Sequence, residues 1–435
     1  MTRERARIER LLWRAGFGPR PGDVDRLAAR GLEKAVDELL DPSGPQLSGS
    51  PPRIDGKPLD PRNVWADDIL WWLDRTVRTR QPLAERMTLS WHDHFAVSNA
   101  SVGDVRLMLR YYASLRRGSL GRFRDLARAM TLDGAMQVFL DLANSSDESP
   151  NENYARELLE LFTLGVNNGY DERDVREAAR ALTGFTFDYD TKRFAYDRKR
   201  HDGGLKSVLG KRGRFEPLDI VDLAIARPEH ARYLCQKLWG YLSPRTCPPR
   251  LLDRMVRAYR DSGTDVRPPL RLALTHPALY ADLDEPHQVK PPVVYVAGML
   301  RATGRGVERQ EWRWVMGGMG QEPFYPPNVS GWEGDEAWLT TGTVRGRYVA
   351  AQVALGDEIR EGSIAQTQTP AQALRSALEA TGHPWCSPRT MSVLRGYARR
   401  SVAGRDEGWQ VKHYWPERQR VLRHLLLAGP DAQVC

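Results

Sequence analysis

The sequence predicts an all-α fold, a compact multi-helix domain over residues 1–435 with one small β-hairpin near residues 185–197. Three observations lead there. Apolar residues recur at the 3.6-residue helical period in nearly every segment, with Gly or Pro at the stops. Aromatics alternate with other residues over Phe185-Thr186-Phe187-Asp188-Tyr189 and again over Arg193-Phe194-Ala195-Tyr196. That period-2 pattern, around a turn at Asp190-Thr191-Lys192, is the signature of paired strands. Finally, no stretch approaches the roughly 18 uninterrupted apolar residues of a membrane helix.

Along the chain, Thr2 caps a helix whose buried stripe is Ile8, Leu11, Leu12 and Ala15, stopped by Gly16. Two short helices follow, one ending at Gly31 and one before Pro42, and residues 42–63 read as a Pro/Gly/Ser-rich loop. Helices resume over 64–78 and 82–97, the second with Pro82 in its first turn. Further helices are expected at 104–117, 119–131 and 151–164. Beyond the hairpin they return at 217–227, 229–242, 249–261, 266–275, 289–303, 344–360, 370–381, 388–402 and 416–427. Residues 317–338, rich in Gly, Pro and aromatics, suit an ordered binding loop or a core plug.

Composition narrows the function classes. The chain carries 64 basic and 56 acidic residues, net +8, but 55 of the basic residues are arginine and acids are interleaved with them. With no block of like charge, the skew reflects a GC-rich genome more than a nucleic-acid surface, and no nucleic-acid partner is expected. The four cysteines have no CxxC spacing, so Cys235 reads as a core residue and no disulfide framework is expected. The N-terminus runs directly into an amphipathic helix, without an apolar leader core, which predicts a cytoplasmic protein with no membrane span.

Three polar clusters carry possible chemistry. In the 151–165 helix, Asn153, Arg156, Glu157 and Glu160 share a face, behind Asn151 and Glu152 at the start. Such a face is either a solvated one with a Glu152–Arg156 pair or a site that holds a metal or moves protons. Upstream is Trp91-His92-Asp93-His94-Phe95, whose two histidines lie about 200° apart on a regular helix, so only one of them can face a given site. Downstream, His201-Asp202-Gly203-Gly204 with Lys206 is either a chemically equipped loop or a plain turn.

These motifs, together with Arg14-Ala15-Gly16-Phe17-Gly18, Leu182-Thr183-Gly184-Phe185, Lys290-Pro291 and Pro326-Pro327-Asn328-Val329-Ser330-Gly331-Trp332, resemble a bacterial family. It is the family catalogued as domain of unknown function 1800, and the likeness spans nearly the whole chain. Its Asn-Glu-Asn-x-Ala-Arg-Glu-Leu run is the most specific part. The resemblance implies no established activity. It does imply a possible sulfatase-like partner, because genes of such a family often neighbour these, and export signals are common among relatives, unlike here. The family pattern often has His where Arg10 stands, which counts against a role for the first helix.

Two functions are expected to compete. One is a metal- or acid/base-dependent enzyme of the hydrolase type, with a pocket between residues 91–95, 151–160 and 201–206. In it, His92 or His94 joins His201 and Glu157 or Glu160 around a divalent metal such as zinc. Glu157, Glu160 and Asp202 are the catalytic candidates. Asn151, Asn153, Arg156 and Lys206 are the substrate-binding ones, with Arg156 or Lys206 holding an anionic group. The other is a non-enzymatic helical scaffold whose polar residues lock helix ends and whose 317–338 loop meets a partner.

Overall fold

Helix starts follow from side chains able to accept the unpaired N–H groups of a first turn. Thr2 accepts the Arg5 N–H to open Arg3–Arg14, and Asp104 accepts from Arg106 and Leu107 to open Val105–Gly118. Asp171 and Asp174 form a reciprocal capping box at the head of Glu172–Ala181. Proline opens Pro82–His94, Pro228–Leu242 and Pro292–Ala302, where its missing N–H has no intrahelical partner to lose. The computed structural model describes residues 2–188, 191, 193–356, 368–405 and 407–435. It is 60% helical, and its strands form small two-stranded antiparallel sheets.

The expected hairpin pairs Phe185–Asp188 with Arg193–Tyr196, with Phe187 opposite Phe194 and their rings stacked at 4.2 Å. Tyr189, Asp190 and Lys192 of its turn lie outside the described residues. Two more ribbons occur where only loop was expected, Arg53–Ile54 with Lys57–Pro58 and Lys206–Val208 with Lys211–Gly213. Both are too short to show an alternation. The second turns through Leu209 and Gly210, both at positive φ, as a tight hairpin turn requires.

Several helices differ from expectation at their ends. The last long helix runs Gly408–Ala428, straight through Pro416, because a Glu407/Gln410 capping box starts it earlier. The helix expected at 344–360 is Thr341–Leu355, and residues 357–360 are outside the described ones. The most consequential departure lies in the 151–164 helix. It is α-helical over Glu152–Glu157 and then widens to a π-helix over Leu158–Leu164.

The main core gathers Leu11, Trp72, Trp91, Tyr111, Phe162, Leu238 and Val296. A smaller apolar cluster, with Leu374, Leu394 and Leu422 at its centre, joins the Pro370–Ala380, Pro388–Arg400 and Gly408–Ala428 helices. Buried cations stitch distant loops together. Arg347, fully buried, donates to the carbonyls of Trp338 and Lys290 and to Gln433 Oε1. Arg301 donates to the carbonyls of Gly18, Val77 and Thr79. Part of the arginine excess therefore serves as internal carbonyl caps. Cys235 is buried in the core, and all four cysteines are free thiols. Among the described residues, no helix is long and apolar enough to cross a membrane.

Candidate functional site

A π-turn changes which carbonyls need partners, and the first polar cluster answers that need. The last carbonyls of Leu158–Leu164 each accept a side chain: Leu161 from the Tyr233 hydroxyl (2.7 Å), Phe162 from His94 Nε2 (3.0 Å), Thr163 from His230 Nδ1 (2.8 Å), Leu164 from Asn168 (2.7 Å). Since a carbonyl can only accept, these contacts fix the proton on His94 Nε2 and on His230 Nδ1. His94 is thereby a helix cap, and its Nδ1 has no partner among the described residues.

His92 points the other way along the same helix, as the spacing requires. The Phe324 N–H donates to its Nε2 (3.1 Å), so its proton sits on Nδ1 and goes to the Tyr111 hydroxyl (3.0 Å). Tyr111 in turn donates to the Phe95 carbonyl (2.7 Å). Burial drives all three histidines toward the neutral form: His92 down to about 3, His230 to about 4, His94 well below its ordinary value.

The 151–160 face forms its own network. Asn151 caps the helix by accepting the Asn153 N–H at 2.8 Å, and Asn153 is exposed. Arg156 clasps Glu172 through both terminal nitrogens and also reaches Glu152 at 3.3 Å. Glu160 accepts the Tyr170 hydroxyl at 3.0 Å. The Glu157 carboxyl is pushed up by burial, with Glu160 adding to it and Arg156 opposing.

The third cluster is a braced turn. His201 Nδ1 lies 3.1 Å from the Thr183 carbonyl, and Asp202 accepts the Arg180 Nε–H at 2.7 Å. Lys206, almost wholly buried, donates to the carbonyls of Asp202 and Gly204. Among the described residues, no hydrogen bond or ion pair joins these groups to His92, His94 or the 151–160 face. Nor do three or more His, Cys, Asp or Glu gather there in a way that could hold a metal ion.

The polar groups that do converge are others. On Pro82–His94, Arg86, Leu89, Ser90 and Asp93 fall at i, i+3, i+4 and i+7 and form one stripe. On Pro228–Leu242, Tyr233, Gln236, Lys237 and Gly240 repeat that spacing, and Tyr241 continues it beyond. The two stripes line a cleft of about 490 Å³, with Trp332 and Trp338 on a further wall.

Asp93 is anchored in this cleft by the Pro-Pro-Asn-Val-Ser-Gly-Trp segment. Asn328 Oδ1 accepts the Ser330 N–H to make a tight turn, and the Trp332 N–H then donates to Asp93 Oδ1 at 2.9 Å. Gly331 is obligatory there. Its φ is +86°, and a β-carbon would sit 2.3 Å from Asp93 Oδ1. The Tyr241 hydroxyl lies beside the same carboxylate, short of full hydrogen-bond geometry.

Burial shifts all three central groups. Burial pushes the Asp93 carboxyl up, against the Trp332 N–H and Lys237, which pull it down. Burial also pushes the Lys237 ammonium down, against Asp93. The Tyr241 phenol is held well above its ordinary range, again mainly by burial. Burial thus favours the uncharged form of all three groups.

Reading the histidines first passed over the aspartate between them. Two signals pointed to it: polar residues at helical spacing on both helices (Arg86, Ser90 and Asp93; Tyr233 and Lys237), and a Gly-Trp step after an Asn turn.

No curated protein and no solved structure matches the chain. A family model described as protein of unknown function (DUF1800) matches residues 10–434. The end of the first helix from Arg10 to Arg14, the Asp93 motif, the 151–165 segment and the loop that anchors Asp93 all lie inside that span, and the chain belongs to this DUF1800 family.

Proposed function

We propose that the chain is an acid/base-dependent enzyme of the hydrolase type that works in the Asp93 cleft. The observation that carries this reading is a carboxyl raised by burial, opening beside Lys237 and Tyr241 into a cleft large enough for a small organic ligand. Asp93 takes the proton from an attacking water, Trp332 fixes its orientation, and the neutral Tyr241 hydroxyl is a donor for developing negative charge. The histidines favour the acid/base form over the metal form, because His94 and His230 are committed to backbone carbonyls and His92 has partners on both nitrogens.

The test is the titration of Asp93, followed by carboxyl carbon NMR with Asp93→Asn assigning the signal. The expected midpoint lies clearly above the usual carboxylate range. Asp93→Asn should also lower hydrolysis of a panel of simple esters by about a hundredfold or more, the scale of a lost general base. A midpoint at the ordinary value near 4 overturns the proposal.

A further inference from the structure

The deepest cation of the cleft lacks a full set of partners. Arg86 lines the cleft and is 6% exposed, and its Nη1 has no hydrogen-bond partner among the described residues. A buried guanidinium nitrogen left unpaired is destabilising unless something supplies an acceptor. The surrounding charges do not supply it. The acidic groups at Cys435 and Asp93 act on Arg86 only through space, and Arg14 opposes them. Arg14 itself donates to the main-chain oxygen of Cys435 at 2.7 Å. Asp93 is shared with a second cation, Lys237.

We infer that the cleft binds a ligand carrying an oxyanion, a carboxylate, sulfate or phosphate group, on Arg86 and Lys237, with a flat ring body against Trp332 and Trp338. This rests on reading the Asp93 cleft as the working site and names its ligand class. A guanidinium suits an oxyanion because its planar N–H fork matches two oxygens at once. The aromatic wall supplies the rest, as indole faces stack on rings and exclude water from the ion pair. Asp335 also lines the cleft, but its charge registers on neither Arg86 nor Lys237. The anion role expected of Arg156 and Lys206 moves here, since those two are already engaged with Glu172 and with the Asp202 and Gly204 carbonyls.

Calorimetric titration of the full chain with benzoate, phenyl sulfate and phenyl phosphate tests this, with benzyl alcohol as the neutral ring. At least one anionic probe should bind tenfold or more tightly than benzyl alcohol, and the ranking of the three identifies the oxyanion. Arg86→Met and Lys237→Met should each abolish that preference, and Asp93→Asn should keep or increase it. Should Arg86→Met not fold, Lys237→Met decides. Equal binding of neutral and anionic probes, no binding at all, or a preference that survives Lys237→Met overturns the inference. Because binding is read without turnover, it is separate from the Asp93 titration. Anion preference with an ordinary Asp93 midpoint sinks the acid/base reading alone.

Discussion

Asp93 Oδ1 accepts the Trp332 N–H at 2.9 Å across 239 residues of sequence, and a glycine immediately before Trp332 makes that approach possible. The loop therefore carries both a conformational requirement and a steric one at a single position.

Gly331→Ala should accordingly destabilise the protein by about 2–3 kcal/mol, since it adds positive-φ strain to a clash with Asp93. Gly334→Ala is the matched control. It sits three residues on, where a β-carbon meets nothing within 4 Å, and should change stability by less than about 0.5 kcal/mol. Urea unfolding of both variants checks the contrast, and equal effects would refute the account.

Acid should reveal the buried histidines. His92 and His230 titrate near 3 and 4 in the fold and His94 well below its ordinary value, whereas each takes a proton near 6.5 once unfolded. Their contribution is thus complete above pH 6.5 and is lost as pH falls toward 4. Asp133 and Glu322, both pushed up to about 7 by burial, act with the opposite sign over the same window, because the fold keeps a proton that the unfolded chain releases. A His230→Gln variant isolates one histidine. It should be about 1–3 kcal/mol less stable than the parent at pH 7.5, with the gap closing as pH drops from 6.5 to 4. A gap that stays constant would contradict the assignment.

The two arginine settings predict opposite outcomes. Arg347→Met leaves the Trp338 and Lys290 carbonyls and Gln433 Oε1 without their donor and should cost about 3–5 kcal/mol. Arg156→Ala removes a half-exposed clasp and should cost no more than about 1 kcal/mol. Thermal unfolding of the two variants distinguishes them.

Chelation provides a further check on the histidines. With every nitrogen of His92, His94 and His230 except His94 Nδ1 turned to a carbonyl, an amide N–H or a tyrosine hydroxyl, prolonged dialysis against EDTA should leave the unfolding midpoint unchanged. A fall of several degrees, restored by zinc, would restore the metal reading.

How much of this could be read in advance depends on the range of the interactions involved. Caps and N-terminal prolines act within one turn, so the start of the helix at Pro82 and the Phe185–Tyr196 pairing were legible, whereas that helix ends at His94 and not at the expected Val97. The Lys206–Val208 ribbon was not, because three residues hold no period. The π-turn was invisible for a different reason: an i→i+5 ladder is imposed by partners some seventy residues away. The Trp91–Phe95 motif was legible as unusual, but the partners of its histidines, the Phe162 carbonyl, the Phe324 N–H and the Tyr111 hydroxyl, were not. Helical phasing shows why. His92 and His94 diverge into two walls of the core, and Asp93 between them takes the third direction, toward Lys237.

The capped π-turn also orders events during synthesis. Its carbonyls wait on His94 from before and on His230 and Tyr233 from after, separations of 68, 67 and 72 residues. His94 leaves the ribosome more than a hundred residues before His230 does. At typical elongation rates that interval is on the order of ten seconds. Until it ends, the N-terminal helices can collapse but cannot lock, and any chain cut short before Tyr233 is an open-ended species exposed to chaperones and proteases.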